Sequence, residues 1–164
     1  MVEFEELSWL RPAWDQVSAH WKSLSHGILI TGNSGIGKGH LALELSRLLL
    51  CTEPNEHQAC GQCASCQLLK NSVHPDLHVL VPETQIDNQP EPIQRHASRY
   101  FMSEKGASSS RKPSRVIGVD AVRLLSDSLT TKSGRAGRKL SLIVPADRLN
   151  SNSMNALLKL LEEP

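Results

Sequence analysis

Apolar residues fall along the chain in short periodic blocks, separated by polar, glycine- or proline-containing breaks. In residues 12–23, Trp14, Val17 and Trp21 recur at i, i+3 and i+7, the stripe of an amphipathic helix, and Pro12 suits its first turn. Ile28, Leu29, Ile30 and Thr31 form a partly β-branched run that predicts a buried strand. A glycine-rich break over 32–39 follows, and helical periodicity resumes over 41–50. Residues 67–70 predict a short helix, and 77–81, bounded by Pro75 and Pro82, a second strand. The stretch 83–114 holds Gln, Asn, Pro, Ser and Gly with few apolar positions, and predicts a mobile loop or insertion.

Apolar spacing returns at 116–119, where Asp120 is the expected N-cap of a helix carrying Val122, Leu125 and Leu129. A polar loop over 131–139 leads to a third strand over 140–144. Asn150 or Ser151 then caps a last helix, whose inner face is expected to hold Met154, Leu157, Leu158 and Leu161. Strands separated by helices predict a mainly parallel sheet in a three-layer α/β sandwich, because parallel strands need crossover connections.

Composition narrows the partners. The chain has 164 residues, one domain's worth, and a formal net charge of +1, which excludes a histone-like basic protein and an acidic tail. The opening residues carry Glu3, Glu5, Glu6 and Asp15 where an export signal would be basic and then apolar, and no apolar run approaches membrane length. The expected setting is a reducing cytoplasm. There, four cysteines crowded into residues 51–66 point to a metal before disulfides.

Cys51, Cys60, Cys63 and Cys66 follow C-x8-C-x2-C-x2-C. Two overlapping C-x-x-C steps hold three thiolates near one ion, and Cys51, ending the preceding helix, can complete a tetrahedron. Structural zinc fits this set, since four ligands leave no open position. The rival is an iron–sulfur cluster, although no further Cys-Pro follows at the usual step. His57 could replace one thiolate but reads better as an exposed loop residue.

Gly32, Asn33, Ser34, Gly35, Ile36, Gly37, Lys38 and Gly39 match the phosphate-loop pattern G-x-x-x-x-G-K between a predicted strand and a predicted helix. The glycines let successive N–H groups turn toward phosphate oxygens, and Lys38 adds a cation. What is missing is the metal-binding hydroxyl, because position 39 is glycine. A metal-assisted enzyme also needs an acid at the end of a neighbouring strand, and the strand over 140–144 runs into Val144, Pro145 and Ala146. Hydrolysis is therefore expected to be very weak or absent.

Two basic stretches could follow a phosphodiester backbone or simply be solvated loops. One holds Arg95, Arg99, Lys105, Arg111, Lys112 and Arg115, with Tyr100 and Phe101 between them; the other holds Lys132, Arg135, Arg138 and Lys139. Of these, Arg135, Arg138 and Lys139 are the candidate DNA contacts. His74, His78 and His96 lack ligand spacing and are expected in solvent or turns, while Trp9, Trp14 and Trp21 are expected to pack on the core or on another domain.

The phosphate loop, the four cysteines after the next helix, the string Gly118-Val119-Asp120-Ala121-Val122-Arg123 and the closing Asn155-Ala156-Leu157-Leu158-Lys159-Leu160-Leu161-Glu162-Glu163-Pro164 occur in one order. That order resembles the bacterial clamp-loader AAA+ family, the subunits of DNA polymerase III holoenzyme. The motor-type gamma/tau members carry Thr after the loop lysine and an Asp-Glu pair at the strand end; Gly39 and Val144-Pro145 depart from both, as in the family's delta-prime branch. The resemblance implies an AAA+ P-loop domain over residues 1–164, with a zinc module at 51–66 and an insertion at 83–114. It implies a non-hydrolysing stator, with ATP binding weak or absent, in a ring with gamma/tau and delta that loads the sliding clamp on primed DNA. The family's arginine finger, helical lid and collar domain would lie beyond Pro164. Two other classes stay open: an active gamma/tau-type ATPase and a zinc-dependent DNA-binding module.

Overall fold

In the computed structural model, which describes residues 4–101, 112–134 and 137–162, the second and third predicted strands form as β1 (Leu77–Leu80) and β2 (Leu140–Ile143). They pair in parallel, with Leu77 opposite Leu140 and Leu80 opposite Ile143. All four residues of β1 are buried. Such a strand must be covered on both faces, and the side chains of alternate residues meet different helices.

Leu77 and Val79 join Leu50, Leu69, Ile93 and Ala97 in one cluster. It takes its members from the end of α2 (Lys38–Leu50), from α3 (Ala64–Lys70) and from α4 (Glu91–Phe101). Leu80 instead meets Tyr100, Ile117, Val122, Leu125 and Leu149. That second cluster lies under α5 (Val119–Thr130), with Ala156 and Leu157 of α6 (Ser151–Glu162) at its margin. A third cluster joins the N-terminal turns, α1 (Arg11–Ser18) and α2 through Leu7, Leu10, Trp14, Leu41, Leu45 and Leu48.

The parallel α/β arrangement is as expected, but its extent is smaller. Among the described residues the sheet has two strands, β1 and β2, with helices packed on both faces of β1. Residues 28–31 make no ladder, and Ile28 and Leu29 are 45% and 77% exposed. Apolar, β-branched residues favour a strand only where an edge is within reach. Here Ile28 and Ile30 face β2 across an open groove of about 560 Å³, lined also by Leu45, Leu49, Leu140 and Leu142.

The insertion departs in the opposite direction. Residues 83–88 form a 3₁₀ turn and 91–101 are α4, where the sequence predicts a mobile loop. Its sparse apolar residues share one face: Ile93, Ala97 and Tyr100 are buried, together with His96. The helix covers the edge of β1 away from β2. Asp76 O and Leu80 O accept from Leu140 N and Val144 N, so Leu77 O points the other way, where Arg99 Nη1 donates to it at 3.2 Å. Residues 102–111 of the insertion lie outside the described residues.

Two smaller expectations also shift. Gly118 precedes α5 and Asp120 sits inside its first turn, whereas Asn150 caps α6 as expected, its Oδ1 accepting from Ser153 N at 2.8 Å. On α6, Met154, Leu158 and Leu161 are exposed; the helix packs through Ser153, Ala156 and Leu157. Ser153 Oγ donates to Ile117 O at 2.7 Å, fastening the packed side of the helix.

Candidate metal centre and phosphate loop

The four cysteines converge because two helix ends meet. Cys51 leaves α2 in extended conformation, and Cys63 is the N-cap of α3, its sulfur accepting from Cys66 N at 3.4 Å. Gly61, at φ +72°, allows the reversal between Cys60 and Cys63. All four sulfurs lie within 4.8 Å of one another: 3.5 Å for Cys51 and Cys60, 3.9 Å for Cys51 and Cys63, 4.0 Å for Cys60 and Cys66. These separations exclude a sulfur–sulfur bond. A tetrahedral zinc with bonds of about 2.3 Å requires edges of about 3.8 Å, so the donor set fits one such ion.

The surrounding backbone favours thiolates. Cys60 N donates to Cys51 Sγ and Cys63 N to Cys60 Sγ, each at 3.3 Å. Burial raises the thiols of Cys51 and Cys66. Burial would also raise Cys63, but hydrogen bonds from Thr52 and the Cys66 amide bring it down to about 5. A divalent cation binding here would displace the remaining thiol protons and take four soft thiolate donors. His57 stays out: it is exposed, with Nδ1 3.0 Å from Ser18 O.

The glycine-rich loop turns into α2 at Gly37. Gly37 sits at φ +94° immediately before α2, in a conformation that side chains resist. A Cβ there would also meet Leu10 Cδ1 at 3.0 Å and Leu7 Cδ1 at 3.3 Å, so the N-terminal turns pack directly beneath the loop. Trp9, still 57% exposed, donates from Nε1 to Ile36 O at 2.9 Å. Lys38 Nζ donates back to Gly32 O and Asn33 O, at 2.9 and 2.7 Å. Beyond β2, Val144 and Pro145 precede a 3₁₀ turn in which Asp147 is exposed.

Of the candidate DNA contacts, Arg138 and Lys139 both line the groove beside β2. Arg138 is exposed beside the groove, and Lys139 Nζ donates to Ser128 O and Thr131 Oγ1, tying β2 to the end of α5. Arg135, Lys105 and Arg111 lie outside the described residues. Arg95 pairs with Glu91 at 2.5 Å, and Arg99 is turned inward.

The three histidines expected in solvent or turns are buried: His74 and His96 are fully enclosed and His78 is 7% exposed. Asp76 N donates to His74 Nδ1 at 3.1 Å, which leaves the His74 proton on Nε2, 2.7 Å from Ser65 Oγ. Ser65 Oγ in turn donates to Leu50 O at 2.5 Å, linking the cysteine-bearing helices to β1. Asp76, 2% exposed, accepts from Gly134 N at 2.8 Å. Burial, and next the Arg99 charge, push His78 and His96 down to about 4.

With these sites in place, the relatives can be set beside them. A family model described as DNA polymerase III, delta subunit, matches residues 15–164. The DNA polymerase III subunit delta' of Escherichia coli (strain K12) is 33% identical over 158 residues, 95% of this chain and 39% of that protein. Its counterpart in Pseudomonas aeruginosa is 36% identical over 156 residues, with 95% and 39% covered, and that of Bacillus subtilis (strain 168) is 26% identical over 166 residues, with 99% and 41% covered. The chain thus spans about two-fifths of the length of these relatives. A match over nearly its whole length, with more than 30% identity to two delta' subunits, means that the chain belongs to the DNA polymerase III delta-subunit family, among its delta' members.

Proposed function

We propose that this chain is the AAA+ domain of a delta' clamp-loader subunit, serving in the cytoplasm as a largely non-hydrolysing stator while its partners load the sliding clamp on primed DNA. The partners are the gamma/tau and delta subunits, and contact with the clamp and with primed DNA comes through the complex. One combination carries this reading: a phosphate loop that keeps Lys38 but has Gly39 at the metal-hydroxyl position, beside a strand that ends in Val144 and Pro145 with no carboxylate. ATP binding is weak or absent. Four thiolates at zinc-like separations support a structural zinc at Cys51, Cys60, Cys63 and Cys66, within a module spanning 51–66. The two-stranded parallel sheet is taken as part of the family's three-layer sandwich.

The experiment is co-purification of the full-length gene product with gamma/tau and delta, followed by ATPase assay of the subunit alone. The expected result is a stable complex and no turnover above background. Turnover that needs Mg²⁺ and disappears in Lys38→Ala would instead make the protein a motor. Failure to join the complex, with salt-dependent binding of the isolated protein to primed DNA, would favour a DNA-binding module.

A further inference from the structure

Gly39 does more than lack a hydroxyl; the space its side chain would enter is crowded on one side. A Cβ at this position would stand 3.3 Å from Ile93 Cδ1, 3.8 Å from Gln89 Oε1 and 3.9 Å from Pro90 Cδ. All three belong to the start of α4 or the turn before it, within the described part of the insertion. The segment that carries the three is fixed in place. Ile93 is 0% exposed and packed with Val79, Leu50 and Ala97. The Gln89 backbone is held by Ile86 O, which accepts from Gln89 N at 3.0 Å, and by Gln94 Nε2, which donates to Gln89 O at 2.7 Å. Pro90 O accepts from Ile93 N at 2.9 Å and from Gln94 N at 3.1 Å, fixing the first turn of α4.

In a metal-assisted phosphate loop, the residue after the lysine directs its hydroxyl at Mg²⁺. That ion holds oxygens at about 2.1 Å in octahedral geometry and keeps several waters. A side chain leaving Gly39 would instead run into an aliphatic methyl. We propose that Ile93, backed by Gln89 and Pro90, is a specificity-determining wall that keeps a divalent metal, and with it a metal-bound nucleotide, out of the phosphate loop. The wall acts on the metal position alone, so the loop backbone and Lys38 are not its targets. On this basis glycine at position 39 is required by the insertion, and restoring a hydroxyl cannot by itself restore the metal. The inference rests on the non-hydrolysing reading above and gives it a steric cause.

Ile93→Val removes only Cδ1, the atom nearest Gly39, and is mild enough to retain the fold. The full chain and its Gly39→Ser, Ile93→Val and combined variants would be titrated with a fluorescent ATP analogue, in Mg²⁺ and in EDTA. The expected result is no gain from Mg²⁺ for the unaltered chain and each single variant, and a gain of about tenfold for the combined one. A Gly39→Ser variant that gains as much alone would overturn the wall, and so would a folded combined variant with no gain. Mg²⁺-dependent binding by the unaltered chain would overturn the wall, whereas only Mg²⁺-dependent turnover would sink the non-hydrolysing reading, so the two failures are distinct. A second measurement needs no nucleotide. Gly39→Ala should lower the urea midpoint in the native background and raise it in the Ile93→Val background, since alanine otherwise favours a helix over glycine. A rise in both backgrounds would overturn the contact.

Discussion

The hydroxyl of Tyr100 lies 2.8 Å from Nδ1 of His78, joining α4 to β1 inside the core. The other nitrogen of His78 is buried without a partner, as are both nitrogens of His96. Protonating either ring would therefore place a charge in apolar surroundings, with the Arg99 guanidinium close by. The folded-state values of about 4 lie below the 6.5 of a free histidine, so between these pH values the unfolded chain binds more protons. The two histidines thus leave stability intact above pH 6.5 and erode it as pH falls toward 4. The limit is roughly 3 kcal/mol for each. Urea midpoints from pH 8 to 4.5 should fall steadily below about pH 6.5, and His96→Leu should flatten the decline. An unchanged slope in that variant would mean that His96 is not part of the effect.

Metal removal should act on the same fold from another side. The cysteines join the end of α2 to the start of α3, and both helices supply residues to the cluster around β1. Elemental analysis should find one zinc per chain. Chelation should lower the unfolding temperature, and Cys63→Ser should lose both the metal and the chelator response. Iron in place of zinc, or a folded protein with four free thiols and unchanged stability, would contradict the assignment.

How far these features could be read from the sequence depends on what made each one. The glycine-rich loop and the cysteine cluster are local in the chain, so spacing alone marks residues 32–38 as a turn into a helix and brings Cys51, Cys60, Cys63 and Cys66 together, as the structure has them. β1 and β2 are continuous apolar runs, visible as such. Residues 28–31 carry the same apolar signal without a strand, because strand formation needs a partner edge that composition does not report. Inside the insertion the error runs the other way. Ile93, Ala97 and Tyr100 are too few for a hydropathy argument, yet their spacing of three and four puts them on one helical side. That periodicity was the available signal. The burial of His74, Asp76, His78 and His96 had none, since each is polar and its partners lie on separate elements.

Ser65 tests the link between the metal module and β1. It is fully buried, with its oxygen between Leu50 O and His74 Nε2. Ser65→Ala would leave the carbonyl without this donor and His74 Nε2 without this acceptor, a loss of about 1–3 kcal/mol. Ser65→Thr, which keeps the hydroxyl but adds a methyl in a closed space, should lose less if the hydrogen bonds dominate. Equal losses in denaturant titrations would point to packing instead. In either variant zinc content should stay at one per chain, because Ser65 touches no sulfur-bound proton.

Arg99 is the corresponding test for the insertion. Its guanidinium sends one nitrogen to Leu77 O at 3.2 Å and another to His74 O at 2.9 Å, so a single side chain serves the edge of β1 and the residue two before Asp76. Burial lowers its pKa from the ordinary value, but arginine starts so high that the charge remains. Arg99→Leu keeps much of the stem and deletes both donors, leaving Leu77 O without this partner and His74 O with only the Leu77 amide at 3.4 Å, a loss of about 1–3 kcal/mol. Arg99→Lys should recover only part of this, because one ammonium on a flexible stem cannot span both acceptors as the planar fork does. Loosening the edge should also release α4, so limited proteolysis of Arg99→Leu should cut within 83–114 faster than in the unaltered chain. Cleavage at an unchanged rate, alongside the loss of stability, would show that α4 is held by Ile93 and Ala97 rather than by the arginine.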